Sequence, residues 1–131
     1  MAKTVITFGT FDVLHLGHLR ILERARSLGD TLVVGVSSDA LNWSKKGRNP
    51  VFGEHERIRL VEALKVVDTV FLEESLDLKE RYIVEHGADV LVMGDDWAGR
   101  FDHFGTLCSV VYLPRTPSVS TTAIIERIAG E

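Results

Sequence analysis

The chain alternates short apolar runs with longer segments of helical periodicity, and this alternation constrains the fold more than any other feature. Parallel neighbouring strands need long crossover connections, which are usually helices, whereas antiparallel neighbours can be joined by tight turns. Right-handed crossovers place those helices on both faces of the sheet. The sequence therefore predicts one α/β domain over residues 1–131, a doubly wound five-stranded parallel sheet of the Rossmann-like kind.

The predicted strands contain no charged residue, as expected for strands buried on both faces. Residues 42–53 combine basic side chains with glycine and proline, and this pattern predicts a mobile loop. We expect Gly29 and Gly87 to follow helix ends as left-handed residues. The strands are predicted at residues 4–8, 31–36, 69–72, 90–93 and 109–113, and the helices at 19–28, 54–64, 78–86, 99–107 and 121–129.

Charge and cysteine content exclude several classes of protein. Fifteen Lys and Arg residues against nineteen Asp and Glu residues leave a net charge of −4, whereas a dedicated nucleic-acid binder has a basic footprint. The single cysteine, Cys108, cannot form an intrachain disulfide. The sequence has neither an apolar stretch of about 20 residues nor a signal-peptide pattern. We expect a cytoplasmic protein without nucleic-acid or membrane partners.

Polar clusters follow four of the five predicted strands. In a doubly wound sheet, ligands bind beyond the carboxyl ends of the strands. The sequence therefore predicts a functional site at that edge of the sheet. The clusters lie at residues 9–18, 37–39, 94–97 and 115–122.

His15 and His18 lie where the first helix should begin, with Gly17 between them. The N–H groups and the positive dipole end of a helix N-terminus attract phosphate. Two histidines three residues apart can share one face of the opening turn and donate hydrogen bonds to phosphoryl oxygens. Helix capping, simple packing and a zinc site are the alternatives, and zinc would require further ligands.

These motifs resemble those of the HxGH nucleotidyltransferase superfamily and, within it, the small cytidylyltransferases that act on glycerol 3-phosphate. The resemblance extends from residue 5 to about residue 126. The HxGH motif indicates only the superfamily, and the later segments narrow the choice to the cytidylyltransferases. The segments are Gly9-Thr10-Phe11-Asp12, His15-Leu16-Gly17-His18, Gly94-Asp95-Asp96-Trp97 and Arg115-Thr116 with Ser120-Thr121-Thr122.

The resemblance implies that the protein transfers CMP from CTP to a phosphorylated acceptor, with glycerol 3-phosphate as the expected acceptor, and that pyrophosphate leaves. It implies Mg²⁺ bound with CTP, held largely by phosphate oxygens and water, with no protein ligand assigned. It also implies a homodimer, and a supply of activated glycerol for teichoic acid or capsule. The alternatives are adenylyl transfer from ATP, as in small FAD synthetases, another phosphorylated acceptor, and a nucleotide-binding regulator without catalysis.

The resemblance also implies roles for individual residues. The alternative roles, which involve no ligand, are a solvated surface charge for Lys45, an Asx turn for Asp12 and an ordinary helix cap for the hydroxyls at 120–122. Residues 73–76 depart from the family's tryptophan-bearing version, which leaves the acceptor open. The implied catalytic residues are His15, His18, Lys45 and Arg115. The implied nucleotide-binding residues are Thr10, Phe11, His15, Leu16, Gly17, His18, Asp96, Arg115, Thr116, Ser120, Thr121 and Thr122. The implied acceptor-binding residues are Asp12, Asp39, Lys45, Arg57 and Lys79.

Overall fold

The computed structural model describes residues 2–114 and 120–130, in which the strands are joined mostly by helices, as the sequence predicts. The helix predicted at 99–107 was wrong, because this segment contains a 3-10 turn at Asp102–Thr106 and no α-helix. No helix in these two ranges is long and apolar enough to cross a bilayer. The strands are β1 (Thr4–Gly9), β2 (Thr31–Ser37), β3 (Thr69–Glu73), β4 (Val90–Gly94) and β5 (Ser109–Leu113). The helices are α1 (Leu16–Arg26), α2 (Asp39–Lys46), α3 (Glu54–Glu62), α4 (Lys79–Glu85) and α5 (Thr121–Ala129). Short 3-10 turns cover Leu76–Leu78, Asp95–Trp97 and Asp102–Thr106.

The five strands form one sheet in the order β3-β2-β1-β4-β5, and every pairing is parallel. From β1 the chain extends to β3 on one side and then returns to place β4 on the other side of β1. The direction of winding therefore changes between β1 and β4, which is the switch point at which doubly wound sheets bind ligands. The predicted fold class is confirmed.

Alternate strand residues form two apolar clusters, one on each face of the sheet. One face carries Val5 and Val92, and it packs against residues of α1 and α3. The other face carries Ile6 and Leu91, and it packs against a residue of α4. Both faces of the sheet are therefore covered, as the charge-free strands predict.

Two glycines predicted to end helices have different roles in the structure. Gly87 has a φ of +60° and follows His86, the C-cap residue of α4, as predicted. Gly29 does not have a positive φ, so the prediction of a left-handed helix end was wrong. A Cβ at position 29 would lie 2.7 Å from Cγ2 of Val5 and 2.8 Å from the carbonyl oxygen of Lys3. Gly29 is needed because the chain passes this close to β1.

The prediction of a loop over residues 42–53 was wrong for its first five residues. They belong to α2, which begins after Ser38, whose side chain accepts a backbone N–H of the first turn at 3.0 Å. Asn42 of this helix is only 2% exposed, and its side-chain oxygen accepts a hydrogen bond from the Thr10 hydroxyl at 2.7 Å. Lys45 is therefore carried by a helix attached to the β1 loop.

Candidate active site

A cavity of about 650 Å³ lies at the carboxyl ends of the strands, and its volume is in the range of small-molecule sites. Most of the residues that the sequence analysis selected line it. These are Thr10, Phe11, Asp12, His15, Gly17, His18, Lys45, Lys79, Asp96, Ser120, Thr121 and Thr122.

Of the selected residues that the structure describes, three are not among those that line the cavity. Leu16, at the start of α1, is 50% exposed. Asp39 and Arg57 are not in the lining, and they are hydrogen-bonded to each other. Arg115 and Thr116 lie outside the described residues, and their assignment to the phosphates stays a prediction.

The turn between β1 and α1 has an unusual backbone. Phe11 and Val13 have φ values of +53° and +49°, in the left-handed region that non-glycine residues rarely adopt. Between them, the Asp12 carboxylate accepts backbone N–H groups from Val13, Val51 and Phe52 at 2.7 to 3.1 Å. Asp12 therefore attaches the segment before α3 to this turn, and its predicted contact with the acceptor stays a prediction.

The two histidines form a stacked pair at the N-terminus of α1. His15 is the N-cap residue, and its Nδ1 accepts the N–H of Gly17 at 3.0 Å. The Nδ1 of His18 accepts the N–H of His15 at 3.2 Å, and the two rings stack with centroids 3.8 Å apart. The ring of Phe11 meets His18 edge-on at 5.5 Å. The backbone of the helix start therefore holds both imidazoles in one orientation.

These hydrogen bonds assign the tautomer of each ring. An Nδ1 that accepts a backbone N–H carries no proton, so the proton of a neutral imidazole is on Nε2. The Nε2 of His15 lies 3.3 Å from the Thr121 hydroxyl, which itself donates to the carbonyl of Asp12 at 2.8 Å. Because that hydroxyl has already donated its hydrogen, the Nε2–H of His15 is the donor to Thr121. The histidine group (His15, His18 and Thr121) thus links α1 to α5.

Both histidines are neutral at pH 7. Burial lowers the pKa of His15 below its ordinary value of 6.5. Burial, together with the neighbouring His15, lowers the pKa of His18 to about 4. The histidine group therefore offers hydrogen-bond donors without a positive charge.

A second group in the same cavity consists of Lys45, Ser37, Glu73 and Lys79, here called the lysine group. Lys79 forms an ion pair with Glu73, and both side chains are almost fully buried. The Lys45 ammonium donates to the Ser37 hydroxyl at 3.1 Å. Burial is the largest influence on both lysines and lowers their pKa values, and the charge of Glu73 acts in the opposite direction.

Arg57 and Asp39 are placed differently from the prediction that they bind the acceptor. Arg57 is fully buried and donates to the backbone carbonyls of Thr10, Ser37 and Phe52 at 2.7 to 2.9 Å. Its remaining contact is the carboxylate of Asp39, at 2.7 Å. Neither residue lines the cavity. Both instead hold in place the loops that carry residues of the cavity lining.

Comparison with known proteins identifies the family. A family model described as cytidylyltransferase-like matches residues 6–127. The chain belongs to the cytidylyltransferase-like family. Glycerol-3-phosphate cytidylyltransferase of Bacillus subtilis is 49% identical over 128 residues, which span 98% of each chain. The protein of the same name from Staphylococcus aureus is 40% identical over 129 residues, which span 98% of this chain and 97% of the relative.

A solved structure agrees with this assignment. The lipopolysaccharide core biosynthesis protein from Thermoplasma volcanium superposes with a TM-score of 0.75 and 29% sequence identity. The match covers 88% of this chain and 99% of that chain. The fold of this cytidylyltransferase-like chain is thus shared across nearly its whole length.

Glu73 lines the cavity of this cytidylyltransferase-like domain, although it is not among the residues predicted from the sequence. The third strand was predicted to end at residue 72, whereas β3 extends to Glu73. Glu73 is therefore the polar residue at the one strand end for which no cluster was predicted. If the third strand had been predicted to end one residue later, Glu73 would have been selected as a polar residue at a strand end.

Proposed function

We propose that this protein transfers CMP from CTP to glycerol 3-phosphate and releases CDP-glycerol and pyrophosphate. The observation that carries the proposal is the cavity in which a paired histidine donor group faces the same space as two lysines. The near full-length relatives named glycerol-3-phosphate cytidylyltransferase support the choice of CTP and of this acceptor.

The reaction exchanges one phosphorus–oxygen bond for another. An oxygen of the acceptor's phosphate forms a bond to the α-phosphorus of CTP, and the bond between that phosphorus and the β-phosphate oxygen breaks. The second pKa of a phosphate monoester is about 6, so at neutral pH its attacking oxygen carries no proton. The protein therefore needs no general base, and its contribution is to position the reactants and to stabilise charge.

The histidine group suits the stabilisation of charge on the triphosphate. The helix backbone holds both imidazoles through Nδ1, which leaves the Nε2–H of His18 as a donor for a ligand, whereas the Nε2–H of His15 donates to Thr121. The positive end of the α1 dipole opens into the same cavity. Donors already fixed by the protein need no reorganisation as charge develops in the transition state. We assign Thr10, Phe11, Asp96, Ser120 and Thr122 to the surroundings of the nucleotide.

The lysine group suits the acceptor. Two ammonium groups and one carboxylate give it a net positive charge that matches a phosphate dianion. Lys45 lies on α2 and Lys79 at the start of α4, so the two cations approach the acceptor from different elements.

We propose that Mg²⁺ enters as part of the substrate, bound to the phosphates of CTP. No three His, Cys, Asp or Glu side chains in the described ranges are grouped to hold a metal ion. Magnesium in phosphoryl-transfer sites is usually held by phosphate oxygens and water.

We further propose a homodimer whose interface lies beside the cavity. Leu16, Trp43 and Val51 belong to segments around the cavity and are 50%, 57% and 60% exposed, which suits an apolar contact. Sedimentation at micromolar concentration should give twice the 14.6 kDa chain mass. A species of 14.6 kDa, with and without CTP, would contradict the dimer and leave the reaction standing.

The product suggests where the protein acts. CDP-glycerol is an activated glycerol phosphate, the form needed by enzymes that build glycerol-phosphate polymers. We propose that it supplies teichoic acid, capsule or a related surface polymer. Loss of the gene should then lower the glycerol phosphate content of the cell surface, measured by phosphorus analysis.

The reaction is tested by measuring pyrophosphate release from CTP and from ATP, each with glycerol 3-phosphate and a panel of other phosphorylated alcohols. We expect release with CTP and glycerol 3-phosphate, together with CDP-glycerol identified by mass. Faster release with ATP, or with another acceptor, would replace the proposed substrates. Binding of CTP without release from any pair would favour a non-catalytic nucleotide-binding protein.

A further inference from the structure

Glu73 is a buried carboxylate at the end of β3 for which the proposed reaction has no step. It is 1% exposed, and it is the register partner of Ser37 at the end of the neighbouring strand β2. Its Oε2 pairs with the Lys79 ammonium, and its Oε1 lies 3.4 Å from the Ser37 hydroxyl. Parallel strand register has thus placed one carboxylate at the centre of the lysine group.

The hydrogen bonds of this group all point toward Glu73. A carboxylate only accepts hydrogen bonds, so Ser37 donates its hydrogen to Glu73 and accepts one from the Lys45 ammonium at 3.1 Å. Lys79 donates to Glu73 from the other side. One negative charge therefore connects, directly or through one hydroxyl, to two positive charges from different helices.

The surroundings of Lys79 are otherwise apolar and aromatic. Its Nζ lies 4.1 Å from the ring centroid of Phe8 and 5.6 Å from that of Phe101. The ring of Phe8 packs against Gly35, where a Cβ would lie only 2.6 Å from a ring carbon. An ammonium in such surroundings loses hydration, and the paired carboxylate is what favours its charged form.

The two lysines also repel each other. The charges that act on Lys45 are Glu73, which raises its pKa, and Lys79, Lys46 and Arg57, which lower it. Burial lowers the pKa of Lys79, and Glu73 is the charged group that raises it. In both cases Glu73 is the group that opposes deprotonation.

Building on the proposed function, we propose that Glu73 is a positioning residue for the acceptor: it holds Lys79 directly, and Lys45 through Ser37, as a charged pair that binds the acceptor's phosphate. Removing its charge should therefore weaken binding of the acceptor and leave binding of CTP at the histidine group nearly unchanged. Loss of packing alone would not separate the two substrates in this way.

The first test compares Glu73→Gln with Glu74→Gln, which removes the same charge from the exposed neighbouring residue. For Glu73→Gln we expect the KM for glycerol 3-phosphate to rise about tenfold or more, with the KM for CTP within about twofold of wild type. Protonated lysine is the active form, and loss of Glu73 lowers the lysine pKa values. The alkaline decline of kcat/KM for the acceptor should therefore move to lower pH by about one unit.

Further variants keep the test decisive if Glu73→Gln does not fold. Glu73→Asp keeps the negative charge, so the alkaline decline of kcat/KM for the acceptor should lie close to its wild-type pH. Ser37→Ala removes the hydroxyl that connects Lys45 to Glu73 and keeps the direct ion pair between Glu73 and Lys79. We therefore expect a rise of about threefold in the KM for the acceptor and a nearly unchanged titration of Lys79. Lysine titration is followed by NMR of the side-chain ε-carbons, with the Lys79 signal assigned by Lys79→Arg.

The proposed function and the role of Glu73 can fail separately. Absence of pyrophosphate release by the wild-type protein with every nucleotide and acceptor would contradict the function. The role of Glu73 would then be tested by calorimetric binding of glycerol 3-phosphate and by the Lys79 titration, which need no turnover. If Glu73→Gln leaves both the affinity for glycerol 3-phosphate and the titration of Lys79 at their wild-type values, the inference is wrong.

Discussion

The histidine group and the lysine group line the same cavity, but they are built by different means. The two histidine rings are held by backbone N–H groups of a single helix start, within four residues of sequence. The lysine group combines side chains from β2, α2, β3 and α4, which meet only in the folded sheet. The histidine group supplies neutral donors in fixed positions, whereas the lysine group supplies charge that depends on a buried counter-charge. Four predictions test this difference, in order of decreasing effect.

Removal of either imidazole should have the largest effect. His18→Ala should lower kcat by ~10²-fold or more, because it removes a donor to the charge that develops on the phosphates. His15→Asn should have a similar effect while the helix stays capped, because asparagine is a good N-cap residue. Steady-state pyrophosphate release measures both.

The control for these variants is His103→Ala, which removes an exposed imidazole that is not among the residues lining the cavity. Circular dichroism should show unchanged folding in all three variants. Near-normal turnover in both His18→Ala and His15→Asn would refute the role given to the histidine group.

Removal of Lys45 should affect mainly the acceptor. We expect Lys45→Ala to lower kcat/KM for glycerol 3-phosphate by roughly 10-fold to 100-fold, because a charge-assisted hydrogen bond to phosphate is lost. The thermal midpoint should stay nearly unchanged, since Lys45 contributes no apolar packing to the two main clusters. Lys65→Ala, at an exposed position, is the matched control. Equal losses for CTP and for the acceptor would contradict the division of the cavity.

The neutral state of His18 should make the stability depend on pH. In the unfolded chain this histidine binds a proton near its ordinary pKa of 6.5, whereas in the folded protein its pKa is about 4. As the pH falls from about 6.5 to about 4, the unfolded state takes up a proton that the folded state does not, and the free energy of unfolding should fall by on the order of 2 kcal/mol. Urea unfolding of wild type and His18→Gln at several pH values measures this contribution. A slope that is identical in the two proteins would show that His18 is not the cause.

The smallest effect is expected at Thr121, which joins the histidine group to α5. Thr121→Val removes the hydroxyl that contacts both Asp12 and His15, and we expect kcat to fall by roughly fivefold, corresponding to about 1 kcal/mol for a hydrogen bond. Thr121→Ser keeps the hydroxyl and should retain most of the activity. If Thr121→Ser loses as much activity as Thr121→Val, or if Thr121→Val keeps wild-type activity, the role given to the hydroxyl is wrong.

The sequence alone predicts the parts of the molecule that depend on local patterns. The five charge-free runs predict the strands to within a residue or two, and the need for crossovers predicts that they are parallel. His15 and His18 could be selected because an N-terminal helix turn arranges residues three apart by its own geometry. Thr121 could be selected because a hydroxyl at a helix start can donate to phosphate, and it lies at the start of α5.

The remaining features were decided by contacts between distant segments. Helix α2 is short and has a basic end, and it is held in place by a buried Asn42 that contacts the β1 loop. Arg57 carries a charge that a sequence pattern associates with a ligand, yet three backbone carbonyls and Asp39 surround it in the fold. Glu73 reaches the cavity because the register of β2 and β3 pairs it with Ser37. Whether a charged side chain binds a ligand or another part of the protein thus depends on which groups the folded chain places around it, and a local pattern does not contain that information.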